Sequence, residues 1–203
     1  MTEITSQAIA LDIVRLLHIL VMAVAIGTVA FTDYSMLRRV YEPIRPGWAR
    51  FLGRIHVFLM VTFGITWATG LILIGAKTGF DPSKFSPVLC AKLAVVSVLL
   101  GTAIGIRRIV VPAIMDGVGG TLIDLPWPIK KTIGMFAGLS LAGWTSALII
   151  GGSEVLKAAS FETILAVVAS IYALAIALVL YLFWYTHRCY GDPLARLQRS
   201  PAY

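Results

Sequence analysis

The stretch 8–36 reads AIALDIVRLLHILVMAVAIGTVAFTDYSM, and its reading decides the fold. From Leu16 to Thr32 it carries no formal charge and is almost wholly apolar. A hydrocarbon core about 30 Å thick is crossed by about 20 residues of helix, at 1.5 Å per residue. Inside that core water cannot satisfy backbone N–H and C=O groups, so a single spanning segment has to be a helix. Four more stretches of this kind follow, at 51–76, 88–111, 129–152 and 161–186. Breakers mark the connections: Pro43, Pro46 and Gly47; Asp81, Pro82 and Pro87; Pro112 to Pro128; Gly151 and Gly152. The connections are short, so neighbouring spans are expected to be antiparallel. The expectation is one all-α integral membrane domain over 1–203, with five transmembrane helices in an antiparallel bundle.

Composition agrees. Of 203 residues 59% are hydrophobic and 13% charged, about half the charge that a soluble domain uses to cover its surface. A soluble enzyme, a nucleic-acid-binding domain and a disordered chain are all excluded on that ground. The net charge of +7 is instead a matter of sidedness. Arg38, Arg39, Arg45, Arg50 and Arg54 belong to the first connection; Arg107, Arg108, Lys130 and Lys131 to the third; Arg188, Arg196 and Arg199 to the C-terminal tail. In a five-span chain these twelve of the 17 basic residues share one side. Lys77, Lys84 and Lys157 face the other, with Arg15 and Lys92 just inside spans. The positive-inside rule then places the N-terminus outside and the C-terminus in the cytoplasm of an inner, cytoplasmic membrane. Anionic lipid, rather than nucleic acid, is the partner of that basic face. The N-terminus MTEITSQAIALD is acidic, unlike a secretory signal, so the first span is expected to be retained.

Gly101/Gly105 and Gly134/Gly138 are small-xxx-small pairs in spans three and four. Such pairs let helix backbones approach closely, either within the chain or against another subunit or a second copy.

Polar groups at membrane depth are costly and mark candidate functional positions. Asp12, Arg15, His18, Met22, Val29 and Asp33 recur at spacings of three, four and seven, so they share about a third of the circumference of span one. This stripe is expected to face the bundle interior, with Asp12 and Arg15 alternatively paired to each other. His18 lies about ten residues in, roughly 15 Å below the outer boundary, where a neutral imidazole needs a hydrogen-bond partner, a proton path or a metal. His56, two residues beyond Arg54, and His187, beside Arg188, sit at the inner ends of spans two and five. They form a second candidate pair for haem, with the two arginines toward its propionates. His18 and His56 are too far apart in depth to share one iron. Met22, four residues from His18, is a conceivable soft ligand for copper. Lys92, near the outer edge of span three, pairs with Asp12 or snorkels outward. Thr62, Thr66 and Thr69 share one face of span two, where hydroxyls usually bond back to their own helix. Cys90 and Cys189 fall at opposite ends of the bundle, too far apart for a disulfide. The soluble segments carry no zinc-type Cys/His spacing, no phosphate loop and no catalytic triad series.

LLHILVMAVAIGTVAF (16–31), with Gly27 nine residues after His18, resembles the first span of the copper-resistance protein CopD family and of HemJ, the haem-dependent protoporphyrinogen oxidase family. Thr69-Gly70 resembles a feature of CopD, and CAKLAVVSVLLGTAIGIRRIVVP (90–112) resembles the third-span pattern. The resemblance covers about the first three spans. It implies an antiparallel bundle with a functional first-span histidine, tied in HemJ-like proteins to haem b, and a characteristic third-span lysine; the matching positions are His18 and Lys92. The chain departs from the pattern at Ala25, where the family often has Trp, and at Gly105 and Ile106, where a late histidine is missing. It has no Arg-x-x-Asn-Glu motif in span four and no Met- and His-rich outer segment. Protoporphyrinogen oxidation and copper capture are therefore not what the resemblance implies. The leading expectation is a haem b-binding membrane protein that handles electrons. The alternatives are a non-catalytic subunit of a larger membrane complex and a copper or proton pathway along the Asp12–Arg15–His18–Asp33 stripe.

Overall fold

The structure is a computed structural model, and it describes residues 6–190, without the side chains of Thr186, His187, Cys189 and Tyr190. Arg196 and Arg199, two of the charges used for the orientation, lie outside the described residues. The described chain is helical, with no strand. Its elements are α1 (Ser6–Arg38), α2 (Pro46–Thr78), α3 (Pro87–Gly105), α4 (Val111–Asp116), α5 (Trp127–Gly152), α6 (Glu154–Lys157) and α7 (Phe161–Tyr190). A 3-10 turn, Pro82–Lys84, precedes α3, and a π-helical turn, Ile106–Val110, joins α3 to α4. Five helical segments are long and apolar enough to cross a membrane: α1, α2, α3 run on through α4, α5 and α7. The chain is thus a multi-pass membrane protein.

The prolines expected to interrupt the chain mostly start helices. Pro46 and Pro87 occupy first turns, where a missing N–H costs nothing and the fixed φ suits the helix. Helix α2 therefore begins five residues before the expected boundary. Ser86 caps α3 by accepting from the Leu89 N–H at 3.3 Å, and Ser153 caps α6 from Leu156 at 3.2 Å. Helix α2 ends at Gly79, whose φ of 62° is left-handed. Phe80 then folds its ring back over Gly75, where a Cβ would lie 2.6 Å from the Phe80 Cε2. Pro112 was read as the end of span three, yet the helix continues to Asp116. Pro112 has no N–H for an α-helical bond to residue 108, and the wider π turn just before it absorbs that loss.

The largest helix contacts are α5 with α7, α1 with α2, and α3 with α5. Two apolar clusters hold the bundle. One gathers Phe63, Val95, Leu99, Ile150 and Ile164; the other gathers Ile44, Leu52, Val110, Ile114 and Ile133. The connections 39–45 and 117–126 meet: the Ile44 N–H donates to the Gly120 carbonyl at 2.8 Å, and the Gly119 N–H to the Ile44 carbonyl at 3.0 Å. Lys130, counted among the basic residues of that end, is only 5% exposed, and its Nζ donates to the Ile123 carbonyl at 2.7 Å. It ties the connection before α5 to the helix, while Lys131 is exposed.

Three of the four small-residue positions are covered within the chain. Gly105 lies under the Phe136 ring, Gly134 under Phe183 and Leu180, and Gly138 against the backbone of Ile176. Gly101 has nothing within 4 Å of the position of a Cβ. The close approach that such pairs permit is used between α3 and α5 and between α5 and α7.

Candidate functional site

The polar stripe of α1 divides into three parts. At its N-terminal end Arg15 Nη1 donates to Asp12 Oδ1 at 2.7 Å, and both side chains are about two-thirds exposed, 63% and 67%. The stripe does not turn inward here: the two charges neutralise each other along the helix. Lys92 does not pair with Asp12 either.

Further down, His18 is half-buried against α2. Its Nδ1 lies 2.8 Å from Thr69 Oγ1. Thr69 donates its one hydroxyl proton back to the Ile65 carbonyl at 2.8 Å, with the Thr66 carbonyl at 3.1 Å. Thr62 and Thr66 bond back in the same way, to the Leu59 and Thr62 carbonyls. When that proton goes to a carbonyl, the Thr69 oxygen accepts from the Nδ1–H tautomer of His18, and this tautomer leaves a lone pair on Nε2. Gly70 completes the fit: a Cβ there would stand 3.3 Å from the His18 Cε1. Lys92 is half-buried within electrostatic reach of His18, and its charged neighbours Lys77 and Lys157 are also cations. Among the described residues no carboxylate or other acceptor pairs with Lys92. Met22, on the same side of α1, packs against the outer apolar cluster. No group of three His, Cys, Asp or Glu stands together as a metal-binding set among the described residues, and Cys90 is exposed.

The third part is at the C-terminal end of α1. Asp33 lines a cavity of about 640 Å³ together with His56, and walls come from α1, α2, the π turn, α4, α5 and α7. His56 is 7% exposed, and its Nε2 is fully buried with no hydrogen-bond partner. The Ala103 backbone of α3 stands as a hydrogen-bonding neighbour of the ring, though with no formed bond to Nε2, and Arg107 of the π turn lies within electrostatic reach, so α3 and the π turn flank the imidazole. Thirteen residues of α2 separate His56 from Thr69, about 20 Å along the axis. His18 and His56 are therefore two sites, as their sequence depths indicate.

The expected pairing of His56 with His187 is not described, because the His187 side chain lies outside the described residues. The two arginines assigned to it do not line the cavity. Arg54 is exposed, and the Arg188 guanidinium lies 5.0 Å over the Trp184 ring.

Sequence reading also missed Trp67, Ser146 and Tyr172, whose Nε1, Oγ and Oη are buried and unpaired. Ser146 and Tyr172 were overlooked as single polar residues in apolar runs. Gly143 brings α7 close enough for the Tyr172 hydroxyl to stand 3.2 Å from the position of a Cβ.

The chain matches no protein-family model, no curated protein and no solved structure.

Proposed function

We propose that the chain is a five-span protein of a cytoplasmic membrane that holds haem b at His18 and takes part in membrane electron transfer. The observation that carries this reading is the His18–Thr69 contact, with an unpaired Lys92 nearby. The resemblance to CopD- and HemJ-like proteins points to the same two positions.

The donor chemistry of this outer site fits haem b. A ring whose Nδ1–H is held by Thr69 offers its Nε2 lone pair in a fixed direction, as metal-binding imidazoles commonly do. Lys92, whose charged neighbours Lys77 and Lys157 are cations and which has no ion-pair partner among the described residues, has its charge available for a propionate. Thr69 fixes the tautomer, and Gly70 leaves room for the ring. When bound, haem supplies the one-electron chemistry; the protein sets its ligand, orientation and surroundings. The cavity at His56 fits haem b less well, because Asp33 lines it and would repel carboxylates, while Arg107, near the His56 ring, does not line it.

An absorption spectrum with metal analysis of the purified protein tests the proposal. A Soret band with iron in the haem supports it. A colourless protein, or one that carries copper without haem, overturns it.

The same reading includes an antiparallel bundle with its N-terminus outside and C-terminus in the cytoplasm. The basic first and third connections support it, since they meet at one end of the bundle. A C-terminal fluorescent-protein fusion is expected to fluoresce, and a C-terminal alkaline phosphatase fusion to be inactive. The reverse pattern refutes the orientation.

A further inference from the structure

We infer that the inner cavity is a binding site for a neutral, membrane-soluble ring compound of the quinone–quinol class. The inference does not rest on the haem proposal, which concerns the other end of α2.

Three observations carry it. First, the His56 imidazole is more than nine-tenths buried and lines the cavity, with Nε2 unpartnered. A buried polar atom without a partner costs free energy, and an oxygen-bearing ligand in the cavity removes that cost. Asp33 lines the same space, and among the described residues it has no hydrogen-bond or ion-pair partner. The cavity thus offers two polar groups within otherwise apolar walls.

Second, the lining sets the class of ligand. Lys and Arg are missing from the lining, and Arg107, which lies within electrostatic reach of His56, stands outside it, so a lipid phosphate or a carboxylate buried beside Asp33 would have no cation in contact. A cation would meet one carboxylate and mostly hydrocarbon. A neutral ring avoids both problems, and Tyr34, Tyr41, Phe136 and Phe183 provide aromatic walls for it. The volume of about 640 Å³ lies in the usual range for a small-molecule site.

Third, the rim shows the route. Tyr34 and Leu37 of α1, Leu141 of α5, and Leu178 and Leu182 of α7 line the cavity and are also exposed. The mouth therefore opens on the side of the bundle, where hydrocarbon surrounds a membrane protein. An isoprenoid tail can remain in that mouth while the oxygenated ring reaches His56.

The test is titration of the detergent-solubilised full chain with decylubiquinone, followed by tryptophan fluorescence; Trp48 packs against the inner apolar cluster. Saturable binding is expected, and decylbenzene, which lacks the oxygens, is expected to bind at least about tenfold more weakly. His56→Leu is expected to lower the affinity by about tenfold and His56→Gln to restore most of it. Ala137→Trp, which fills the cavity from α5, is expected to abolish binding even if His56→Leu fails to fold. Leu148→Ala, on an exposed face of α5, serves as the unaffected control. No saturable binding, equal affinity for decylbenzene, or unchanged affinity in a folded Ala137→Trp protein overturns the inference. The readout does not use haem absorption, so a colourless protein that binds decylubiquinone would fail the haem proposal alone.

Discussion

On the haem proposal, replacing His18 by alanine is expected to remove the Soret absorption of the purified protein, whereas His56→Ala is expected to leave it in place. The direction follows from the environment of each ring. His18 has its Nδ1 beside the Thr69 hydroxyl, so its Nε2 would be the nitrogen offered to haem iron, and Lys92 has no ion-pair partner among the described residues. His56 lies in a cavity lined by an acid and by no lysine or arginine, with Arg107 near the ring but outside the lining. Thr69→Val keeps the shape of the side chain but removes the acceptor for Nδ1–H. A change of this kind, one step behind a metal ligand, costs roughly 10–100-fold in affinity. Haem occupancy in titrations of the apoprotein is therefore expected to fall in Thr69→Val without vanishing, and its axial-ligand spectrum to change. Lys92→Arg should preserve occupancy better than Lys92→Met, since only the arginine keeps a charge for a carboxylate. Retention of the band in His18→Ala, with loss in His56→Ala, would move the haem to the inner end and remove the proposed outer site.

The five spans were legible because bilayer thickness imposes a length that no soluble core demands, and long apolar runs display it directly. Their ends were less legible. Pro46 starts a helix and Pro112 sits within one, since proline forbids a hydrogen bond rather than a helix and the neighbouring turn determines the result. Lys130 and Lys131 are indistinguishable in the sequence. Helical phase turns one into a buried donor to the Ile123 carbonyl and leaves the other in solvent. The candidate site was legible to a similar depth. The 3–4 periodicity of α1 grouped Asp12, His18 and Asp33 on one face, but α1 packs mainly on α2, and that packing gives the three residues different surroundings. The His18–Thr69 contact joins residues 51 apart, and neither local pattern predicts it. The inner cavity was not legible at all, because a void has no sequence pattern. It arises where six elements fail to close, and its signal is a buried atom with no partner.

Gly138→Val is expected to destabilise the bundle strongly, whereas Gly101→Val, on the other small-xxx-small pair, is expected to be nearly neutral. A Cβ on Gly138 would stand 3.0 Å from Cα and 3.4 Å from N of Ile176. Those are backbone atoms of α7, so relief requires the two helices to move apart rather than a side chain to change rotamer. The α5–α7 contact is the largest in the molecule, and separating it also loosens Gly134 from Phe183 and Leu180. Overpacking of this kind costs about 1–3 kcal/mol, and at 2–4 °C per kcal/mol for a chain of this size the loss corresponds to a fall in Tm of roughly 2–12 °C. A Cβ on Gly101 meets nothing within 4 Å, and the exposed position leaves room for the valine methyl groups. Gly105→Val falls between them. Its new methyl groups meet the Phe136 ring, which borders the inner cavity and has empty space to turn into. Thermal unfolding of the three variants in one detergent checks the order Gly138, Gly105, Gly101, from most to least destabilised. A large loss at Gly101 with none at Gly138 would mean that the free glycine face carries an interface between chains and that α5 and α7 are not packed as described.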